Sequence, residues 1–355
     1  MNNEEKNQFR SLLHTLPEQA PLISKEDFDK FPNDKSLWKE NEFGMKVGPF
    51  QFYEGVKGIT SEMIDSPRNP YRLLFEFAVA TWGSEEYPTM WPITKPEHRF
   101  IVVKNVLANK ALPLGNEAIQ FSFIVRGPSR AAFDQHARQR VGATFASQGV
   151  RDNSRLLSGC RIPNEIWKDP SKKEEFIASS LWIKKVYYQM LKSGTGNSFQ
   201  AARAIMSMSW THNYKYSTNF MALKGYMAQR LVASEQEDTV ATAITIWNEI
   251  NKKFPLLAKS LRPKCDWANK CVCHQGAGGE LFGALFKGCG RFPETEGDYS
   301  TFNWSCSDYD SLEKQLNIKL PYPNTKLWED KNKNVWKEYN SLSDLDDKDR
   351  ILFEE

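Results

Sequence analysis

The sequence predicts a mixed α/β fold, a mixed sheet with packed helices, from three observations. Two runs of strand length, residues 98–107 (HRFIVVKNVL) and 119–126 (IQFSFIVR), are rich in β-branched and aromatic residues. Segments of helix length follow them at 174–192, 198–208, 217–231 and 239–253. Between the two patterns Gly127-Pro128 breaks the second strand, and Ser129 is placed to cap a helix beginning at Arg130. That helix would carry Phe133, Ala137 and Val141 on one apolar face at spacing four. A further apolar stretch, 71–82 (YRLLFEFAVATW), suits a core helix or a buried strand.

These elements suggest three zones. Residues 1–95 form an N-terminal extension punctuated by turn sequences, 96–260 a regular central domain, and 261–355 a cysteine-containing C-terminal extension. The 355 residues are long enough for a sizeable core. With 13% aromatic residues, 11 of the whole being Trp, the chain is too rich in large side chains for disorder. Mean hydropathy is −0.58, and no apolar run approaches the ~20 residues of a membrane span. The polar opening MNNEEKNQFR lacks a secretory h-region, so the expected location is the cytoplasm. Six cysteines in such a chain are not a disulfide framework. A net charge of +3 gives no reason to expect nucleic-acid or membrane partners.

The chemistry concentrates in an arginine run. Between 126 and 161 there are seven arginines (126, 130, 138, 140, 151, 155, 161), no lysine, and two acids, Asp134 and Asp152. Guanidinium is a planar, permanently charged fork that grips phosphate or carboxylate with two bonds, whereas lysine acts as a point charge. A phosphorylated ligand is one reading of the run, and a solvated or structural arginine face is the other. Arg130, Asp134 and Arg138 at i, i+4, i+8 imply at least one intrahelical ion pair. The glycine-containing loop 143–153 (ATFASQGVRDN) would let backbone N–H groups approach an anion.

The segment 121–140, FSFIVRGPSRAAFDQHARQR, resembles the flavin-dependent thymidylate synthases. Members of that family have a strand F-[ST]-F, a turn, Ser-Arg-Ala, then a Gln, two residues and Arg-His-Arg. Gln135, Arg138, Gln139 and Arg140 stand at those positions. A family Ser-x-Arg follows. With one insertion its arginine falls on Arg151 and its serine on Gly149, with Ser147 as the alternative serine. Farther on, 202–210 (ARAIMSMSW) resembles the family segment A-R-x-x-L-P, with Met206 and Ser207 replacing Leu and Pro. Asn219 matches an asparagine opening the next helix, Arg230 the arginine of an L-x-x-R, and Gln236 and Lys253-Phe254-Pro255 complete the likeness over 97–256.

The resemblance implies a homotetramer with active sites between subunits. It further implies FAD, methylenetetrahydrofolate and NADPH as cofactors, and transfer of a one-carbon unit to carbon 5 of dUMP. Carried over by position, Arg138, Gln139, Arg140 and Asn219 contact flavin, and Gln135, Ser147 or Gly149, Arg151 and Arg230 contact nucleotide. Arg230 follows Tyr226 and Met227, whose size suits the wall of a cleft, and is the expected catalytic arginine. The chain departs from the family pattern at Gln139 (His in the triplet), at Ala118 (His of Phe-Glu-His), and at Met221 and Gly225. Two other outcomes therefore stand beside the dTMP-forming one: hydroxymethylation of dUMP or dCMP, and a nucleotide- or nucleic-acid-binding protein without redox activity.

Cys265, Cys271, Cys273 with His274, and Cys289 bring soft ligands together in the last zone. Four thiolates, or three with His274, would satisfy tetrahedral zinc. An iron–sulfur cluster and a set of buried reduced thiols are the other readings, with Cys306 as a spare ligand. Cys160 reads as core, and Trp210, His212 and Tyr214 as packing. Gly276-Ala277-Gly278-Gly279 lacks the Gly-Lys-Ser/Thr of a phosphate loop. The tail 326–355 reads as a solvated, charged segment that could be helical.

Overall fold

A computed structural model describes residues 39–40, 46–47, 52–81, 89–147, 149, 158–192, 198–232, 235–268, 309–319 and 335–355. The strands are β1 (Lys39–Glu40), β2 (Lys46–Val47), β3 (Phe52–Glu54), β4 (Thr60–Asp65), β5 (Gln120–Arg126), β6 (Ala143–Ser147), β7 (Cys160–Ile162) and β8 (Tyr214–Asn219). The helices up to the middle of the chain are α1 (Pro70–Val79), α2 (Pro96–Leu107), α3 (Gly115–Ala118), α4 (Arg130–His136), α5 (Asn164–Trp167), α6 (Pro170–Lys192) and α7 (Ser198–Ala202). Then come α8 (Phe220–Arg230), α9 (Glu237–Lys253), α10 (Pro255–Lys259), α11 (Lys264–Ala268), α12 (Tyr309–Leu316) and α13 (Asp347–Glu354). The fold is mixed α/β, and its contacts divide into two compact units. One takes its residues from Met1–Gly58, Arg126–Asp134 and Ala146–Tyr214, the other from Ile59–Val125, Gln135–Phe145 and Lys215–Glu355.

In the first unit β3 and β7 pair in parallel, Phe52 opposite Cys160 and Glu54 opposite Ile162. Phe52, Cys160, Ile162, Leu181, Tyr187 and Trp210 form its apolar core, so Cys160 is core as its isolation suggested. Arg161 ends the arginine run as a structural clamp. Its guanidinium donates to Gly127 O at 2.5 and 2.9 Å, to Gly55 O at 2.5 Å and to Lys57 O at 3.1 Å. Ser129 does cap α4, its Oγ accepting from Ala132 N at 3.2 Å, and Arg130 pairs with Asp134 at 3.0 Å. The expected apolar face is shorter than the spacing implied. The helix stops at His136, so of the three face residues only Phe133 is buried, beside His212 and Tyr214, while Val141 is 88% exposed.

The second unit is built on a four-stranded sheet in the order β4-β5-β8-β6. The amphipathic helix α9 packs along β4, with Ser61 and Thr245 hydroxyls 2.8 Å apart and Met63 N donating to Glu249 at 3.2 Å. Residues 98–107, expected as a strand, are helical. Pro96 sits in the first turn, and Phe100, Val103, Val106 and Leu107 are buried at helical spacing, which overrides the β-branched content. The segment expected as one helix over 217–231 is divided. Tyr214, Tyr216 and Thr218 alternate inward as a strand, and the helix starts only at Phe220. Likewise 198–208 holds only the short α7 and a 3₁₀ turn at Arg203–Ile205.

The C-terminal helix corrects the reading of the tail as merely solvated. Phe353 is fully buried, stacked on Tyr71 at 4.8 Å and edge-on to Phe100 at 5.8 Å. Burying such a ring contributes about 2 kcal/mol. Tyr71 OH donates to Asp349, whose other oxygen accepts from Leu256 N at 2.7 Å. Arg99 donates to Phe353 O at 2.6 Å and Trp91 O at 2.9 Å. Among the described residues no helix is long and apolar enough to cross a membrane.

Candidate active site

Four of the polar residues singled out in the sequence, Gln135, Gln139, Asn219 and Arg230, lie in the second unit where the end of α4, strand β8 and helix α8 converge. Asn219 leaves β8 in extended conformation and caps α8, its Oδ1 accepting from Ala222 N at 2.8 Å. Its backbone N donates to Gly142 O at 2.9 Å. Gly142 has φ +70°, and a Cβ there would lie 2.6 Å from Asn219 Nδ2, so this turn requires glycine on both counts. Gln139 is drawn inward: Tyr216 OH donates to its Oε1 at 2.9 Å, and its Nε2 donates to Ala222 O. Arg138 and Arg140, on either side of it, are exposed.

One turn before Gln139, His136 is buried among three aromatic rings. It stacks on Tyr226 at 4.0 Å and meets Tyr216 at 4.4 Å and Phe145 at 5.0 Å. Burial, and then the charge of Arg230, hold its pKa well below the usual histidine value, so the imidazole is neutral at physiological pH. The Tyr226 hydroxyl is buried and has no hydrogen-bond partner among the described residues. Burial raises its pKa well above that of a free tyrosine.

Next to this aromatic group stands a polar cluster. Arg230 Nη1 reaches Glu235 at 2.6 Å and Gln135 Oε1 at 3.5 Å, and its Nη2 donates to Gln135 O at 3.2 Å. Gln135 Nε2 donates to Gln236 Oε1 at 3.2 Å, and Thr239 Oγ1 lies 3.5 Å from Gln135 Oε1. The cluster holds a guanidinium, amide donors and acceptors and a carboxylate beside a phenol. Such a set can recognise an anionic group attached to a polar ring.

Gln135 and Arg230, both expected to touch nucleotide, are thus in contact. Of the four residues expected at flavin, Gln139 and Asn219 serve internal hydrogen bonds, whereas no carboxylate among the described residues pairs with Arg138 or Arg140. Ser147 ends β6 and is exposed, as is Gly149, and Arg151 lies outside the described residues. Cys265 is buried, with its Sγ 3.9 Å from Asp266. Cys271, Cys273 and Cys289 lie outside the described residues, and among those described no three His, Cys, Asp or Glu are grouped to hold a metal.

The family model for thymidylate synthase complementing protein, Thy1, matches residues 70–256, just over half of the 355. The chain belongs to the Thy1 family. No curated protein matches it. Among solved structures it is similar to a UMP/dUMP methylase, PolB, from Streptomyces cacaoi. The form bound with 5-Br dUMP has a TM-score of 0.46 at 15% identity, over 59% of this chain and 96% of that one. The form bound with 5-Br UMP gives 0.43 at 15% identity, over 59% and 95%.

The Thy1 match embraces α1 to α9, and with them every residue of the cluster. Sequence reading missed Glu235, Thr239, His136, Phe145 and Tyr216 of this site. Glu235 lies five residues beyond Arg230, past the end of α8, where helical spacing says nothing about contact. His136 lies between two motif positions and carries no motif of its own. Tyr216 was signalled by the alternation of Tyr214, Tyr216 and Thr218, a pattern legible only once 214–219 is taken as a strand.

Proposed function

We propose that the chain is an FAD- and folate-dependent enzyme that transfers a one-carbon unit to carbon 5 of a pyrimidine deoxynucleotide, converting dUMP to dTMP. The carrying observation is the contact between Gln135 and Arg230 inside the Thy1-matched region, from two sequence blocks far apart. The Arg230 fork receives an anionic group of the nucleotide, and the Gln135 amide, donor and acceptor at once, orients it. Neutral His136 and the Tyr226 phenol form an apolar wall with a polar tip against the ring.

The residues present fit a flavin dinucleotide in one respect: the exposed guanidinium groups of Arg138 and Arg140 are available to a diphosphate. When bound, FAD supplies the hydride chemistry, with NADPH as its reductant. The chain's own part is to hold the nucleotide, position it and exclude water. Homotetrameric assembly, a cytoplasmic location and nucleotide contacts from Ser147, Gly149 and Arg151 belong to the same proposal.

One observation favours a second outcome. Gln139 replaces the family's central histidine and spends its amide on Tyr216 and Ala222, which leaves one fewer group to act on the flavin. A changed fate of the one-carbon unit, as hydroxymethyl on dUMP or dCMP, follows from that reading. Anaerobic incubation with each nucleotide, methylenetetrahydrofolate, FAD and NADPH, read by mass spectrometry, decides between them. A product carrying methyl supports the first reading, and one carrying hydroxymethyl the second. Unchanged nucleotide with every cofactor bound sinks both.

A further inference from the structure

We infer that the second unit carries another ligand site, a cation-rimmed cleft that takes a flat organic anion. The cleft has a volume of about 580 Å³, within the ordinary range for small-molecule sites. Met63, Phe254 and Leu352 give it an apolar lining, and Arg68, Lys252, Lys253 and Lys348 stand around it. These four cations come from three elements: the turn after β4, the last turn of α9 and the first turn of α13.

The charges are unevenly satisfied. Lys252 is paired with Glu249 at 2.6 Å, and Glu249 also accepts from Met63 N at 3.2 Å, which accounts for both of those charges. Lys253 donates to the Ser66 hydroxyl at 2.5 Å and Lys348 to Lys252 O at 3.0 Å, both neutral acceptors. No carboxylate among the described residues contacts either ammonium. Arg68 is 90% exposed and meets Glu355 only at 3.9 Å. Asp65 is the other acid of the lining, so the cations exceed the acids four to two.

Two lysines at a helix C-terminus are ordinarily explained by the helix dipole. That accounts for Lys252 and Lys253, and for Lys348 through its bond to Lys252 O, but not for Arg68, brought to the same cleft from the turn after β4. An apolar lining under ammonium groups selects a molecule that has both a flat apolar body and an anionic group, whether phosphate, carboxylate or sulfonate. Helix α9 separates this cleft from the Gln135–Arg230 cluster. Its first residues adjoin Gln236 and its last turn lines the cleft, so the two lie ~24 Å apart along its axis at 1.5 Å per residue. The inference therefore does not rest on the nucleotide reading.

The probe is anilinonaphthalene sulfonate, with the uncharged N-phenylnaphthylamine as its control, titrated by fluorescence against the full chain. The expected result is saturable sulfonate binding that weakens at least ~10-fold in Lys253→Glu/Lys348→Glu, since both ammonium groups then become carboxylates. Lys110→Glu should change this binding by less than ~2-fold, because its exposed ammonium lies outside the cleft. Lys253→Arg/Lys348→Arg should bind as the parent does. If the double reversal does not fold, Arg68→Glu, at a fully solvated side chain, carries the same expectation of weakened binding. Equal affinity for the uncharged control, or sulfonate binding unchanged by charge reversal, overturns the proposal.

Discussion

Arg230 and Glu235 form an ion pair of 2.6 Å in which the two side chains keep only 15% and 24% of their exposure. The arginine proposed to receive a substrate anion is therefore held by a carboxylate of its own chain. The pair is partly shielded and is joined by Gln135 through two further contacts, so it orients the guanidinium as well as neutralising it. A ligand anion that takes this arginine has to compete with Glu235.

Removing that competitor should strengthen nucleotide binding. Glu235→Gln keeps the shape and one hydrogen-bond acceptor but discards the negative charge. Calorimetry with dUMP should show affinity rising by ~3- to 10-fold, the equivalent of ~1 kcal/mol. Weaker binding in a folded variant would mean that Glu235 supports the site and does not compete for it.

Arg230→Lys keeps the positive charge and loses the fork. Affinity for dUMP or dCMP, or turnover, should fall at least ~10-fold, while FAD uptake stays nearly intact. If the substitution leaves binding and turnover of both nucleotides untouched in a folded protein, Arg230 is an ion-pair arginine and nothing more.

Arg138→Ala should act in the opposite sense, weakening FAD before nucleotide. Its guanidinium is exposed and meets no carboxylate among the described residues, so its loss should leave the fold unharmed. Flavin absorbance retained on gel filtration is the measurement, and retention equal to that of the parent would remove Arg138 from the flavin site.

Asp349 should make stability depend on pH. Burial pushes its carboxyl up to about 7, against the hydrogen bonds from Tyr71 and Leu256 N; Asp346 adds to the rise and Lys348 opposes it. An unfolded aspartate titrates near ~3.9, so between that value and about 7 the folded chain holds the extra proton. This group's contribution is fully present below ~3.9 and is lost as pH rises through about 7, by up to ~4 kcal/mol. Urea unfolding from pH 5 to 8 should show that decline in the parent and a flatter profile in Asp349→Asn. Parallel profiles would show that Asp349 is ionised throughout.

Phe353→Ala should cost about 3–5 kcal/mol of unfolding free energy, because the ring fills a site enclosed by Tyr71, Trp91 and Phe100. Denaturant midpoints measure it. A loss below ~1 kcal/mol would return the C-terminal helix to the status of a surface appendage.

Much of this protein was legible in its sequence because some of its determinants are local. Strand 120–126 alternates inward at Phe121, Phe123 and Val125, α9 shows its apolar stripe, Ser129 reads as a cap, and the Arg130–Asp134 pair follows from helical spacing alone. The order of motifs from Gln135 to Arg230 placed the chain among the Thy1 proteins before any contact was known. Tertiary structure decided what local spacing cannot carry. Residues 98–107 have strand-like composition but form α2, because a buried face at helical spacing and Pro96 outweigh β-propensity. The tail 326–355 is charged enough to look solvated, yet Phe353 and Asp349 are core residues whose partners lie far away in sequence. The Arg161 clamp and the Arg230–Glu235 pair likewise arise because burial makes each guanidinium find a partner, and which partner it finds depends on neighbours that only the folded chain supplies.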